Sequence, residues 1–342
     1  MARYHSSSYS RQRGRRRRWI HIILALPIII AVVNVFVRGP NTFDESEDKF
    51  SAFLTVTKAE NETAPAALKP VPGPKPNLLE IPAPTSESDP KSTALIAEAV
   101  KFINTTPAKV IKARDMLNEV LATPISGQQQ EFVKNRLSEL ADKWLFSKTI
   151  FSQDNLCSSY KVKPGDQLGR IGRRFKVPYE ILMEINKIPY AETLQAGETI
   201  KIINGPFHAR VYRSTFTMDL YLQDTFVRSF SVGLGQPGME TPTGLWLVKP
   251  DGKLMKPAWT DPASGKTYEA EDPDYPLGSI WIGLEGIKGD AKGRAGFAIH
   301  GTREPNQIGT ASSQGCIRLH NGDAILIYNL LMSGFSRVEI VE

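Results

Sequence analysis

The sequence predicts a multidomain, membrane-tethered chain: an N-terminal transmembrane helix, a small α-helical segment, a compact βααβ module and a mainly-β C-terminal domain. Three observations point there. Residues 19–37 form an apolar run with no Lys, Arg, Asp or Glu. Two strand-like stretches, "YKV" and "TIKII", bracket a pair of short helical patterns. Beyond Phe207 the apolar period changes from helical spacing to alternation.

Residues 1–18 are a basic cytoplasmic tail with seven arginines and no acid; subtracting them from the net charge of +6 leaves the rest of the 342-residue chain one unit negative. Basicity belongs to the terminus, so the body offers no field to draw nucleic acid. As a helix, residues 19–37 would rise roughly 28 Å, the hydrocarbon thickness of a bilayer. The flanking arginines should hold the N-terminus inside and send everything after it outside. A cleaved signal peptide is the alternative, but the run is long and no small-x-small site closes it. The expectation is an uncleaved single-pass anchor, N-terminus inside, with the remaining domains beyond the membrane. Residues 38–92, with "KPVPGPKP" and "IPAPTSESDP", read as a Pro-rich linker.

Residues 93–150 return to helical period. Leu95, Ile96, Ala99, Val100 and Ile103 form one stripe; Val110, Ala113, Leu117, Val120 and Leu121 a second, entered through Thr106 and Pro107; Val133, Leu137, Leu140, Ala141 and Trp144 a third. Nothing there suggests chemistry, so a spacer or docking role is expected.

Residues 158–204 place Tyr160-x-Val162, Gly165-Asp166-x-Leu168, Ile171, Phe175, Val177-Pro178, Asn186 and Leu194-x-x-Gly197-x-x-Ile200-x-Ile202 at fixed spacing. This stretch resembles a LysM module, a βααβ fold that binds N-acetylglucosamine-containing glycans. The resemblance implies sugar contacts near Gly165, Asp166 and Gln167 and after the second helix. The plainer reading is that most of the apolar positions only build the core.

Residues 207–342 hold "ARVYRSTFTMDLYL", "TFVRSFSVGLG", "TPTGLWLVKP" and "SIWIGLEG", a mainly antiparallel β domain in which only "GDAILIYNLLMSG" is clearly helical. In "GRAGFAIHGT", Phe297 and Ile299 share one face of a strand, which puts Ala298 and His300 on the other. A polar loop then returns the chain to Cys316 in "SSQGCIRLHNG", so thiol and imidazole are expected within hydrogen-bond reach. A free thiol near pKa 8.5 is only a few per cent thiolate at neutral pH, and a neighbouring imidazole would take its proton. Gly315 would let a carbonyl approach the backbone, with the N–H groups of residues 314–316 aimed at an oxyanion. Arg318 could hold a substrate carboxylate or brace the loop. An inert buried thiol is the bland alternative. Zinc through Cys316, His300 and His320 lacks an evident fourth ligand, so no metal or cofactor is expected. His208 and His320 are placed at surfaces or element ends. Cys157 and Cys316 fall in different segments and are read as unpaired thiols.

"TPTG", "PLGSIWIGL", "FAIHGT" and "SSQGCIRLHNGDAILIYNLL" resemble, in order and spacing, the L,D-transpeptidase catalytic domain (YkuD type) over roughly residues 208–341. The resemblance implies Cys316 as nucleophile, His300 as general base and the Gly301 carbonyl as the group that orients the ring. It implies Gly315 and Gln314 as oxyanion backbone donors and Arg318, Ser313 and Thr302 as substrate contacts. Gln314 stands where the family has its second histidine; it cannot relay a proton, though its amide still hydrogen-bonds. The implied partners are peptidoglycan glycan strands and stem peptides. The implied reaction releases D-Ala from a tetrapeptide stem and forms a 3→3 cross-link, with inactivation by carbapenems. An L,D-carboxypeptidase would use the same site with water as acceptor. Papain-like wall hydrolases place Cys before His along the chain, and sortases place His much further upstream. A wall-binding protein with a decayed site is the reading from outside enzymology.

Overall fold

The computed structural model describes residues 89–105 and 109–342. The basic tail, the apolar run 19–37, the Pro-rich stretch through residue 88 and the Thr106–Pro107 helix entry lie outside the described residues. Among the described residues, no helix is long and apolar enough to cross a membrane.

Three helices come first: α1 (Pro90–Thr105), α2 (Val110–Leu121) and α3 (Gly127–Trp144). A capping box starts α3, in which the Gln129 N–H donates to Ser126 Oγ and the Ser126 N–H donates to Gln129 Oε1. Its stripe of Val133, Leu137, Leu140, Ala141 and Trp144 is fully buried, as helical spacing demands. Arg114 lies over the Trp144 ring at 4.4 Å and donates to Asp154 Oδ1 at 2.8 Å. Both partners of that ion pair are buried.

The βααβ module follows. Strand β1 (Cys157–Lys161) pairs antiparallel with β2 (Thr199–Ile203) around α4 (Leu168–Phe175) and α5 (Tyr179–Asn186). Asn186 ties α5 to β2, accepting from the Lys201 N–H at 2.7 Å and donating to the Lys201 carbonyl at 2.8 Å. The fully buried Lys201 ammonium donates to the carbonyls of Trp144, Ser147 and Thr149, which welds the module to the end of α3. Replacing Lys201 with Met should leave those carbonyls without their donor and cost about 2–4 kcal/mol in urea unfolding, with faster amide exchange over residues 144–149. A stability change under about 0.5 kcal/mol would contradict the weld.

The C-terminal domain is built on an eight-stranded sheet in the order β13-β11-β10-β7-β14-β3-β4-β5. Its strands are β3 (Phe207–Tyr212), β4 (Thr217–Leu222), β5 (Thr225–Ser231), β7 (Gly244–Met255), β10 (Ile280–Lys288), β11 (Phe297–His300), β13 (Ile317–Arg318) and β14 (Arg337–Val341). Short pairs β6 (Leu234–Gly235) with β12 (Ala311–Ser313), and β8 (Trp259–Thr260) with β9 (Thr267–Tyr268), lie outside it. The eight-stranded sheet is mainly antiparallel, as expected, with two parallel pairings at places that matter. Strand β14 runs parallel to β3, and β13 runs parallel to β11. The helix α6 (Asn321–Leu330) is shorter than the apolar run suggested, ending before "LMSG".

The helical segment does more than space. It packs on β5, the edge strand, where Asn118 Oδ1 accepts the Phe226 N–H at 2.8 Å and so satisfies an edge donor. Lys134 reaches the fully buried Asp219 carboxylate at 2.6 Å, and Arg228 pairs with Asp142.

Candidate active site

Register decides which groups meet. Ile299 lies opposite Ile317 and His300 opposite Arg318 in the parallel β11–β13 pair. One step back sets Cys316 level with Ala298, on the face that also carries His300. Thiol and imidazole are therefore diagonal neighbours, with Cβ atoms about 7 Å apart, a gap an imidazole ring can span. They are not hydrogen-bonded to each other. The thiol contacts the Gly296 carbonyl at 3.9 Å. The sequence expectation of direct contact is thus met by a shared face and not by a bond. Apo catalytic pairs are often this loose.

The imidazole is fixed from two sides. His300 Nδ1 lies 2.6 Å from the Gly301 carbonyl oxygen, which can only accept. Nδ1 must carry the proton, and Nε2 is left as the basic nitrogen. The Trp281 indole stacks on the ring at 5.8 Å between centroids and 14° between planes. Burial holds the His300 pKa down at about 4, with a further downward push from Arg318 and against upward pulls from the Gly301 carbonyl and, more weakly, the Leu277 carbonyl. Burial raises the Cys316 thiol to about 11, while an Ala298 N–H and Arg318 pull it down. Both shifts favour the neutral thiol and neutral imidazole over the thiolate–imidazolium pair expected from the sequence.

A histidine whose folded pKa is depressed contributes stability above its unfolded value near 6.5 and loses it as pH falls toward 4. That window is worth about 3 kcal/mol at 1.36 kcal/mol per pH unit. Urea unfolding at pH 7 and at pH 4.5 should show His300→Gln losing markedly less stability than the parent; equal losses would contradict the assignment.

The loop before Cys316 is shaped by Ser313 and Gly315. Ser313 Oγ donates to the Cys316 carbonyl at 2.7 Å and accepts the Gly315 N–H at 3.1 Å. Two expectations change here. Ser313 is buried and faces the turn instead of a substrate, and the Gly315 N–H is already engaged. Gly315 sits at φ +108°, where a Cβ would lie 2.8 Å from the Phe297 ring. Thr302, also expected to contact substrate, is buried, and its hydroxyl accepts the Glu304 N–H at 2.9 Å. Arg318 braces the loop by donating to Gln307 Oε1, while its buried Nε has no partner. Gln314 is exposed. Its amide is the weakest of the groups that hold the Asp261 carboxyl below the usual carboxylate range, after the Ser264 hydroxyl and the backbone N–H groups of Ala263 and Ser264.

The remaining candidates lie apart from this site. Among the described residues no cluster of His, Cys, Asp and Glu could hold a metal ion, and both cysteines are free. Burial raises Cys157 to about 12, and that thiol is closed to solvent where Cys316 is partly open. His320 sits at the start of α6 without a side-chain capping bond, and His208 on β3 accepts the Arg337 N–H of β14 at 3.0 Å. In the βααβ module a cavity of about 410 Å³ is lined by Lys161, Val162, Lys163, Pro164, Ala196 and Gly197. Gly165, Asp166 and Gln167 adjoin it without lining it. The Asp166 carboxylate instead accepts from Tyr160 Oη at 2.7 Å and the Lys163 N–H at 2.9 Å. Sequence reasoning missed Trp281 and Asn321, although alternation along "SIWIG" places Trp281 on the site face.

Residues 206–340 match the family described as the L,D-transpeptidase catalytic domain (YkuD), and residues 160–202 match the LysM domain. Proteins named "Putative L,D-transpeptidase YkuD" from Bacillus licheniformis and Bacillus subtilis are 28% and 29% identical to the chain. The alignments cover 53% of the chain in each case, and 97% and 98% of those relatives. "Putative L,D-transpeptidase YqjB" of Bacillus subtilis is 31% identical, over 47% of this chain and 82% of its own length.

Proposed function

The chain belongs to the L,D-transpeptidase family, and from that membership we propose a cysteine acyl-transfer mechanism carried by Cys316 and His300. It is a peptidoglycan L,D-transpeptidase, and its LysM and catalytic domains imply peptidoglycan binding and extracytoplasmic action. The observation that carries the finer reading is the placement of the half-buried thiol and a tautomer-fixed imidazole on one face of the β11–β13 pair.

In this reading a tetrapeptide stem closes over the site and draws the thiol proton to His300 Nε2. Sγ adds to the carbonyl between the L-centre of the third residue and D-Ala. The oxyanion is met by the N–H groups of Gln314 and Cys316, since that of Gly315 is taken. The C–N bond breaks, and the D-Ala amine leaves with the proton from His300. An acceptor amine then attacks the thioester, loses its proton to His300 and forms the 3→3 bond as the thiol is restored. Water in place of the amine gives the L,D-carboxypeptidase outcome. The apolar run at 19–37 would tether the chain to the membrane through one span, and the LysM cavity would hold the glycan strand. Arg318 Nε, buried and unpartnered, supplies a donor for a substrate oxygen.

Incubating the full chain with disaccharide-tetrapeptides and reading the products by mass spectrometry tests this. Free D-Ala together with 3→3 dimers supports transfer, and D-Ala with tripeptides supports hydrolysis. Intact tetrapeptides would overturn both.

A further inference from the structure

We propose that Asn321 is the positioning residue for the His300 imidazole, gripping the N–H end of the Gly301–Thr302 peptide whose C=O end holds Nδ1. The inference deepens the acyl-transfer reading above and rests on it. Asn321 Oδ1 accepts the Thr302 N–H at 3.1 Å and the Ser279 N–H at 3.2 Å. Its Nδ2 donates to the Thr302 carbonyl at 3.0 Å, and its own carbonyl accepts from Ser279 Oγ at 3.2 Å. One side chain thus clamps the segment that leaves β11 and the segment that enters β10.

The lever is the peptide plane. A trans peptide is rigid, with N–H and C=O pointing in opposite directions. Holding the Thr302 N–H therefore aims the Gly301 carbonyl, and that carbonyl is the group 2.6 Å from Nδ1. Donation by the N–H also polarises the C=O and strengthens it as an acceptor. Trp281 restrains the ring by its face only, so it does not choose which nitrogen carries the proton. The peptide carbonyl does.

Two glycines make room for the clamp. A Cβ on Gly278 or on Gly301 would lie 2.2 Å from Asn321 Oδ1, and Gly278 sits at φ +66°. Asn321 itself begins α6, which packs on β10 and β11, so the clamp is anchored to the same two strands it aligns.

Asn321→Ala and Asn321→Asp divide the question, because Asp keeps the oxygen that accepts the two N–H groups. In Asn321→Ala, kcat for D-Ala release should fall roughly 10–100-fold with KM within about twofold, in the manner of lost outer partners of a functional imidazole. Long-range ¹⁵N–¹H spectra of the full chain should show the His300 Nδ1–H form in the parent and a tautomer mixture in Asn321→Ala. Asn321→Asp should keep the Nδ1–H form and recover most of kcat, with the acid limb of its pH–rate profile moved upward by the added negative charge. A parent-like tautomer and kcat in Asn321→Ala would overturn the proposal. So would equal losses in Ala and Asp variants that track their thermal stability. If Asn321→Ala does not fold, the tautomers of the parent and of Asn321→Asp decide. If the parent releases no D-Ala, the acyl-transfer reading fails while the spectra still test the clamp.

Discussion

On the proposed mechanism, Cys316→Ala should lower D-Ala release from tetrapeptide stems roughly 10⁴-fold or more, because the acyl intermediate is assigned to this thiol. The thiol is half-buried, with a weak 3.9 Å contact to the Gly296 carbonyl and an Ala298 N–H directed at it. Truncation should therefore cost no more than about 1 kcal/mol of stability, and Tm and circular dichroism should stay close to the parent. Cys316→Ser keeps the shape but replaces the thiol by a far weaker acid and should be nearly as inactive. Cys157, buried between the helical segment and the LysM core, should tolerate Ser or Ala without loss of activity. Retention of D-Ala release by Cys316→Ala would end the cysteine mechanism.

Gly315→Ala is expected to lower kcat about 100-fold while the protein still folds. Residue 315 lies at φ +108°, a region that side chains avoid, and its Cβ would meet the Phe297 ring at 2.8 Å. Strain of this kind costs about 1–3 kcal/mol. Relief would rotate the turn in which Ser313 Oγ joins the Gly315 N–H to the Cys316 carbonyl. That turn aims both the thiol and the N–H groups that flank it, and an error near 1 Å is enough to cost about two orders of magnitude. Steady-state kinetics with a parallel Tm measurement checks it. Activity within tenfold of the parent would show that the loop's geometry is not critical.

Much of this architecture was legible because local pattern and tertiary packing agree. The stripe ending at Trp144 is the buried face of α3, and the two "β" ends of the LysM stretch pair as β1 and β2. The alternation of Phe297 and Ile299 against Ala298 and His300 correctly gave the face of β11 on which the imidazole sits. What the sequence hid depends on partners distant along the chain. Nothing near Lys134 announces Asp219, and nothing near Lys201 announces the carbonyls at the end of α3. The parallel run of β13 beside β11 is also invisible to period-2 patterning, which looks the same in either direction. Ser313 and Thr302 carry hydroxyls in a loop motif, and a hydroxyl facing substrate looks identical in sequence to one closing a turn. Asn321 was hidden by its position at a helix start, where Asn has an ordinary structural explanation.

The central claim is that the Cys316 thiol acts as nucleophile with His300 as its proton acceptor. Intact-mass spectrometry of the full chain exposed to a carbapenem near neutral pH, followed by peptide mapping, measures it most directly. The account predicts a single adduct on Cys316, none on Cys157, and acylation slowed about 100-fold or more in His300→Gln. An adduct on another residue, or an unchanged rate in His300→Gln, would contradict it.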